Sequence, residues 1–256
     1  MSILKQFIES EKRKCWEFID REYAETKDKY SRLRDLVADA VVELAENEQI
    51  IILDAGCGHK TIIDYQLRHK IKYIGIDIDK DSIERNHNID LGIVNDLTSI
   101  PLEADSVDII VSAMVFEHLE TPESVFCEFH RVLKPGGYLI FATPCVYNIV
   151  VVVNRMMPHF LSRKLGGALT GQEESDIFPT YYRANSQRQL KKLLSRNKFI
   201  PMRVIMYQPP PYAFVFSKMI VRLVVKYYHF INKHEKLNFL RGIIIAKYKK
   251  NVKGLP

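Results

Sequence analysis

The chain has 256 residues, 47% apolar and 27% charged, which excludes a disordered, collagen-like or disulfide-scaffold protein. Its formal charge of +6 is unevenly placed: from Ala213 to Pro256 ten Lys or Arg face one acid, Glu235, so this segment carries +9 and the rest −3. Basicity confined to the last part excludes a molecule-wide nucleic-acid surface, and no nucleic-acid partner is expected.

The opening residues, MSILKQFIESEKRK, are broken by charge too early for a secretory signal, and no run reaches the roughly 18 apolar residues of a spanning helix. Cys15, Cys57, Cys127 and Cys145 form no C-x-x-C pair and stand at no zinc spacing with a histidine, so no metal is expected. Free thiols predict a cytoplasmic protein.

Residues 1–47 predict helices. Leu33, Val37, Ala40, Val41 and Leu44 share one face, and Trp16, Ile19 and Tyr23 repeat the spacing. Ile50–Gly58 (IIILDAGCG) is a continuous apolar run ending in Asp and two glycines, the pattern of a buried parallel strand entering a tight loop. Lys72–Asp79 predicts a second strand, LGIVND a third, and Asp108–Phe116 a fourth. A helix follows, with Thr121 at its N-cap, Pro122 at its first position, and Val125, Phe129, Val132 and Leu133 buried. Tyr138–Thr143 is the next strand. Later come a helix over Ser186–Ser195, strands over 201–207 and 242–250, and between these a Pro209-Pro210-Pro211 run and a helical stretch over 213–232. Strands alternating with helices predict an α/β, doubly wound, mostly parallel sheet.

Three strand ends carry the chemistry. In such sheets ligands bind beyond the carboxyl ends of the strands. Gly56 and Gly58 let the backbone turn and approach a ligand, and Asp54 is placed to bond the loop or, through water, a ligand amine. Asp77 lies nineteen positions after Gly58, where an acid can accept two ribose hydroxyls. Asp96, nineteen further on, can accept an adenine amine, with Ile78 and Leu97 on the two ring faces. Gly-x-Gly alone is also an ordinary strand-to-helix turn, and each Asp alone an ordinary strand-end cap. The three in register point to an adenosine compound. A nicotinamide fingerprint needs Gly at position 61, where Thr61 stands, and the loop offers little bare backbone to a pyrophosphate.

In this order and spacing LDAGCG, YIGID, NDLTSIPLEADSVDIIVSAMVFEHL and RVLKPGGYLIFATP resemble the class I S-adenosylmethionine-dependent methyltransferases, closely over about 48–145 and weakly through FPTYYRAN. The nearest subset is the small-molecule group, methyltransferase-11-like. The resemblance implies a Rossmann-like sheet of seven strands with an antiparallel last strand, N-terminal helices, and a helical insertion before that strand. It implies one methyltransferase domain over 1–256: N-terminal helices 1–47, cofactor-binding core 48–145, acceptor-side segment 146–200 and basic helical insertion 209–240. S-adenosyl-L-methionine is the implied cofactor. Asp54, Ala55, Gly56, Cys57 and Gly58 would line its methionine end, Asp77 and Ile78 its ribose, Asp96 and Leu97 its adenine, and Ser112 and Ala113 its sulfonium. Lys60 replaces the usual third glycine, so its side chain must swing outward or pair near the cofactor carboxylate.

On the acceptor side, Glu117 and His118 follow the fourth strand, and His118 is the candidate general base. Quinone-pathway O-methyltransferases carry a similar Glu-His pair with an acid three positions before the Glu. Met114 stands there, which disfavours a metal-assisted mechanism. Tyr181, Tyr182 and Arg183 occupy the segment where family members contact the acceptor, with His159 a weaker candidate. Each of these also has a plain structural reading, as a strand-end or loop anchor.

Lys218, Arg222 and Lys226 recur every four residues, and Lys233 follows seven later, on a segment otherwise rich in Phe, Met, Ile, Leu and Val. Such a helix either packs on the protein with a solvated face, or lies in an anionic membrane interface. The resemblance implies methyl transfer to a small-molecule or lipid- or saccharide-linked acceptor; the second reading of the helix predicts that this acceptor is lipid-linked or polyanionic, with peripheral membrane contact through 213–232 and a lid or dock at 209–240. Two competing functions stay open: a catalytically weak cofactor-binding module or regulatory partner of another enzyme, and an NAD-dependent oxidoreductase.

Overall fold

The structure is a computed structural model describing residues 3–24, 28–44, 49–62, 70–156 and 178–251. His159 lies outside the described residues. Two compact units are built from interleaved pieces of chain: Met1–Asp28, Cys145–Phe178 and Met206–Ile243 form one, and Lys29–Pro144, Pro179–Ile205 and Ile244–Pro256 the other.

The second unit carries the sheet. Its strands are β1 (Ile50–Ala55), β2 (Ile71–Asp77), β3 (Leu91–Val94), β4 (Val107–Ala113), β5 (Leu133–Pro144), β6 (Phe199–Tyr207) and β7 (Ile243–Lys250), in spatial order β3-β2-β1-β4-β5-β7-β6. β1 is parallel to β2 and β4, β2 to β3, and β4 to β5. β7 is antiparallel. Its last residue, Lys250, donates to the carbonyl of Leu133 at the start of β5, while Gly242, just before β7, accepts from the N–H of Cys145, just past the end of β5. At the other edge Asn251 donates to Lys198 O, immediately before β6. The expected doubly wound, seven-stranded sheet is therefore present.

Apolar runs become central strands because both faces are covered: Ile52, Leu53, Ile109, Ile110, Val111, Leu139, Ile140 and Phe141 are buried. Pro201 is tolerated because β6 is the edge strand, exposed from Ile200 to Val204. Helices α2 (Lys29–Glu43), α3 (Lys80–Arg85), α4 (Pro122–Val132) and α6 (Gln187–Arg196) belong to this unit. α2 buries Leu33, Leu36, Val37, Ala40 and Val41, four of them on the predicted face.

Several boundaries differ from expectation. β4 stops at Ala113 rather than Phe116, because Met114 adopts a left-handed φ of 60° and the chain leaves the sheet for a 3-10 turn over Phe116–His118. β3 ends at Val94, two residues short of Asp96. β5 begins at Leu133, so the LKPGG turn is part of the strand. Thr121 occupies the N-cap position of α4, but its side chain makes no capping bond.

Cations and carboxylates also knit this unit. Lys247 Nζ lies 2.6 Å from Glu43 Oε1 and 4.2 Å from the centre of the Tyr138 ring, while Tyr138 donates its hydroxyl to Glu43 Oε2 at 2.5 Å. The two donors hold the Glu43 carboxyl below its usual range, the Lys247 hydrogen bond most strongly. Lys250, also buried, donates to Asp105 Oδ1 at 2.7 Å. Two of the ten C-terminal cations are thus structural rather than surface charges.

The first unit contains α1 (Ile3–Glu22), α5 (Ile149–Met156) and α7 (Lys218–Lys233). Its core joins Cys15, Ile19 and Tyr23 of the N-terminal segment to Val215, Val221, Val224, Val225, Tyr228 and Ile231. Trp16 is on the exposed side of α1, with its ring 5.4 Å from that of Tyr212. Among the described residues no helix is long and apolar enough to cross a membrane.

Replacing Glu43 by Ala leaves the Lys247 ammonium buried without its anion. We expect a loss of roughly 1–3 kcal/mol in urea unfolding, whereas Lys247→Met, which removes the charge and keeps the stem, costs less.

Candidate functional site

The loop after β1 is fastened from below by β2. The N–H groups of Gly56 and Cys57 both donate to Ile76 O, at 2.8 and 3.2 Å, and the N–H of Gly58 donates to Asp77 Oδ2 at 2.8 Å. Asp77 Oδ1 accepts from the N–H of Asp79 at 3.0 Å, and Asn86 Nδ2 donates to Gly58 O at 3.0 Å. Gly56 and Gly58 have φ of +76° and +52°. At Gly56 a Cβ would also stand 2.3 Å from Val115 Cγ2, so no other residue fits there. Gly58 has open space above it.

Asp54 is fully buried. Its Oδ2 accepts the Tyr73 hydroxyl at 2.5 Å, and its Oδ1 has no hydrogen-bond partner among the described residues. Burial pushes its pKa up to about 7; the Tyr73 bond pulls it back, and the charge of Asp77 adds to the rise. A buried acceptor atom left open is an unmet demand for a donor. Ala55 ends β1, and its carbonyl accepts the hydroxyl of buried Ser112 at 2.8 Å. Ser112 thus ties β4 to β1, and Ala113 follows it half-buried. The Cys57 thiol sits against β2, 2.8 Å from where a Cβ on Gly75 would be, and burial drives its pKa up to about 12. Its side chain is therefore turned into the fold. Lys60 is exposed.

The other strand ends carry the expected residues. Ile78, one step past Asp77, is 61% exposed. Leu97 is buried. Asp96 is exposed and folds back on its own turn, Oδ1 accepting from the backbone and hydroxyl of Thr98.

Beyond β4, Glu117 is buried and its pKa is raised, chiefly by desolvation. Its main-chain carbonyl accepts the N–H groups of Tyr181 and Tyr182, at 2.7 and 3.2 Å. This brings the two predicted acceptor segments together. His118 Nδ1 is 2.8 Å from Pro179 O. A carbonyl only accepts, so Nδ1 carries a proton in this contact. Arg183 donates to Glu120 O, and its guanidinium stacks 5.3 Å from the Tyr181 ring. Tyr182 holds a left-handed φ of 52°, as Met114 does at 60°, a conformation costing about 1–2 kcal/mol in a non-glycine residue.

Two residues that sequence reasoning missed complete this region. Asn185, fully buried, donates Nδ2 to Thr143 Oγ1 at 2.7 Å and to Pro144 O at 3.1 Å. Thr143 in turn turns its hydroxyl to Glu117 Oε2 at 3.4 Å. Among the described residues, Asn185 Oδ1 is another buried atom without a partner. The AN of FPTYYRAN gave no such signal, because the contact depends on a segment over 40 residues distant.

Residues 53–141 match the family described as "Methyltransferase domain". A "Ubiquinone biosynthesis O-methyltransferase" of Nitrosococcus oceani is 35% identical over 113 residues, 40% of this chain and 48% of that protein. The chain spans about half the length of the curated relatives it matches first. Among solved structures, "the [4+2]-Cyclase SpnF" superposes with a TM-score of 0.52 at 19% identity, covering 87% of this chain and 82% of that one. The geranyl diphosphate C-methyltransferase of Streptomyces coelicolor A3(2), solved with S-adenosyl-L-homocysteine, gives 0.51 at 15% identity, covering 84% and 80%. These two likenesses carry the fold alone. The sequence likeness to methyltransferase domains thus falls on the segment that carries β1 to β5.

The raised pKa of Asp54 makes a linkage prediction. An acid that holds its proton more tightly folded than unfolded destabilises the fold as pH rises past its unfolded value of about 4, and the penalty is complete above about 7. Asp54→Asn keeps the Tyr73 bond and removes the ionisation. Its melting temperature relative to wild type should therefore rise between pH 4 and pH 7 and level off above; a difference independent of pH would refute the linkage.

Proposed function

We propose that the protein transfers a methyl group from S-adenosyl-L-methionine to a small-molecule acceptor or one linked to lipid or saccharide. One observation carries this reading over a nicotinamide dinucleotide. The N–H groups of Gly56, Cys57 and Gly58 are all spent inside the fold, on Ile76 O and Asp77 Oδ2. A pyrophosphate needs such donors pointing outward. What the loop region offers instead is carboxylate: Asp54 Oδ1, without a partner among the described residues, then Asp77 and Asp96. That set suits a cationic ligand with hydroxyls and an amine.

When bound, the cofactor supplies a methyl group on a positively charged sulfur. Around it, Asp54 with the Gly56–Gly58 loop receives the amino-acid end. Asp77 uses two of its roughly four lone-pair sites on the loop and α3, which leaves capacity for ribose hydroxyls. Exposed Ile78 offers an apolar face for the adenine, with Leu97 and Asp96 at its other side. Ser112 acts by fixing the ends of β1 and β4 together, and Ala113 leaves room beside them.

Displacement at an activated methyl needs chiefly alignment, and an acceptor that must lose a proton gains from a base. His118 is that base, its ring held at Nδ1 by Pro179 O. Buried Glu117 holds the Tyr181–Tyr182 backbone, so base and acceptor-binding segment move as one piece. Tyr181, Tyr182 and Arg183 contact the acceptor. A lipid-linked acceptor agrees with peripheral membrane contact through 213–232.

Calorimetric titration with S-adenosylhomocysteine and with NAD tests the cofactor. We expect binding of the first only, weakened by about 1–3 kcal/mol in Asp77→Ala, which removes a charged acceptor from the site. An unchanged titration would take Asp77 out of the site. His118→Ala should reduce turnover with an identified acceptor by about 10²–10⁴-fold while leaving S-adenosylhomocysteine affinity intact; full activity would end its role as base.

A further inference from the structure

Helix α7 is exposed along two adjacent lines. Val221, Val224, Val225, Tyr228 and Ile231 form its buried face. On the opposite side Met219, Leu223 and Phe230 are 70%, 59% and 54% exposed, and Phe216 just before the helix is 55% exposed. Steps of four and seven residues place Met219, Leu223 and Phe230 on one line. Arg222, Lys226 and Lys233 repeat the same steps three residues later, about 60° round the helix, and are also exposed. Lys218 lies beside this second line, near Glu11 of α1. No Asp or Glu occurs from Lys218 to Lys233.

The apolar line is not the helix's packing face, since that face is already buried in the unit's core. It is an additional apolar surface, bordered on one side by cations only. We propose that α7 docks the protein on an anionic phospholipid surface. Met219, Leu223 and Phe230 enter the headgroup–acyl boundary, and Arg222, Lys226 and Lys233 lie over the lipid phosphates. Long basic side chains at such a boundary lay their stems on apolar surface and keep their charges at headgroup level. Self-association through the same face would set the cationic lines of two copies against one another with no acid of the helix between them, which disfavours a second copy as the occupant. The assignment goes beyond the methyl-transfer reading and does not rest on it.

The test is flotation of the full chain with phosphatidylcholine vesicles and with vesicles carrying about one-third phosphatidylglycerol. Wild type should float with the anionic vesicles only, and less as salt is raised. Arg222→Gln/Lys226→Gln/Lys233→Gln should bind them roughly 100-fold more weakly, at about fivefold per cation. Met219→Ser/Leu223→Ser/Phe230→Ser, all at exposed positions, should lose at least tenfold, with helicity by circular dichroism and S-adenosylhomocysteine affinity unchanged in both variants. Failure of wild type to float overturns the proposal. So does a serine variant that floats as well as wild type, which returns the cations to a solvated face. A dimer in sedimentation velocity that the serine variant abolishes assigns the face to a second copy and also overturns it. Vesicle binding without S-adenosylhomocysteine binding would instead sink the methyl-transfer reading and leave the docking intact.

Discussion

The site depends on one carboxylate at the end of β2. Asp77 sits where two strands finish side by side, and it holds the loop after β1 by the Gly58 N–H and the approach to α3 by the Asp79 N–H. A loop with two left-handed glycines has many conformations in isolation. Ile76 O and Asp77 select one of them, and the packing of Val115 beneath Gly56 leaves no volume for a side chain there. The loop is therefore set by its neighbours in the sheet rather than by its own sequence.

That arrangement decides the electrostatic character of the site. In dinucleotide-binding folds the glycine loop presents N–H groups to phosphate. Here the same glycines turn their N–H groups inward, and the exposed polarity is left to acids. The fold alone would not discriminate, since one similar structure is that of a cyclase and another that of a methyltransferase. Discrimination lies in which donors are consumed. Asp54 adds to this: burial raises its pKa to about 7, and its Oδ1 has no hydrogen-bond partner among the described residues.

Much of this was legible in the sequence. Continuous apolar runs ending in Gly-x-Gly or Asp located β1 and β2, because buried parallel strands admit little else and strand-end loops need special backbone. The antiparallel placement of β7 followed from the resemblance, not from its residues. Positions fixed by contacts between distant segments were not legible. Tyr73 meets Asp54 only through the register of β1 on β2. Asn185 meets Thr143, and the Glu117 carbonyl meets Tyr181, only once the segment after residue 178 returns to the end of β4. The end of β4 itself was misplaced because Val115 and Phe116 are apolar and continue the strand pattern. What stops the strand is the left-handed turn at Met114, a side chain with no preference for it.

The positive φ of Met114 gives the end of β4 its geometry. Had β4 run on to Phe116 in extended form, Glu117 and His118 would alternate above and below the sheet. The turn instead throws the chain into a short 3-10 helix, burying Phe116 against Phe126 and Phe141 and directing the Glu117 carbonyl to the Tyr181–Tyr182 backbone. Tyr182 meets that carbonyl in a second left-handed conformation. Such strain persists only where surrounding packing overdetermines it. The buried Glu117–Thr143–Asn185 chain and the aromatic cluster under Phe116 supply that packing, holding His118 and the Tyr181–Arg183 segment at one strand end. The region beyond β4 is thus built by backbone contacts that no pairwise spacing of residues could announce.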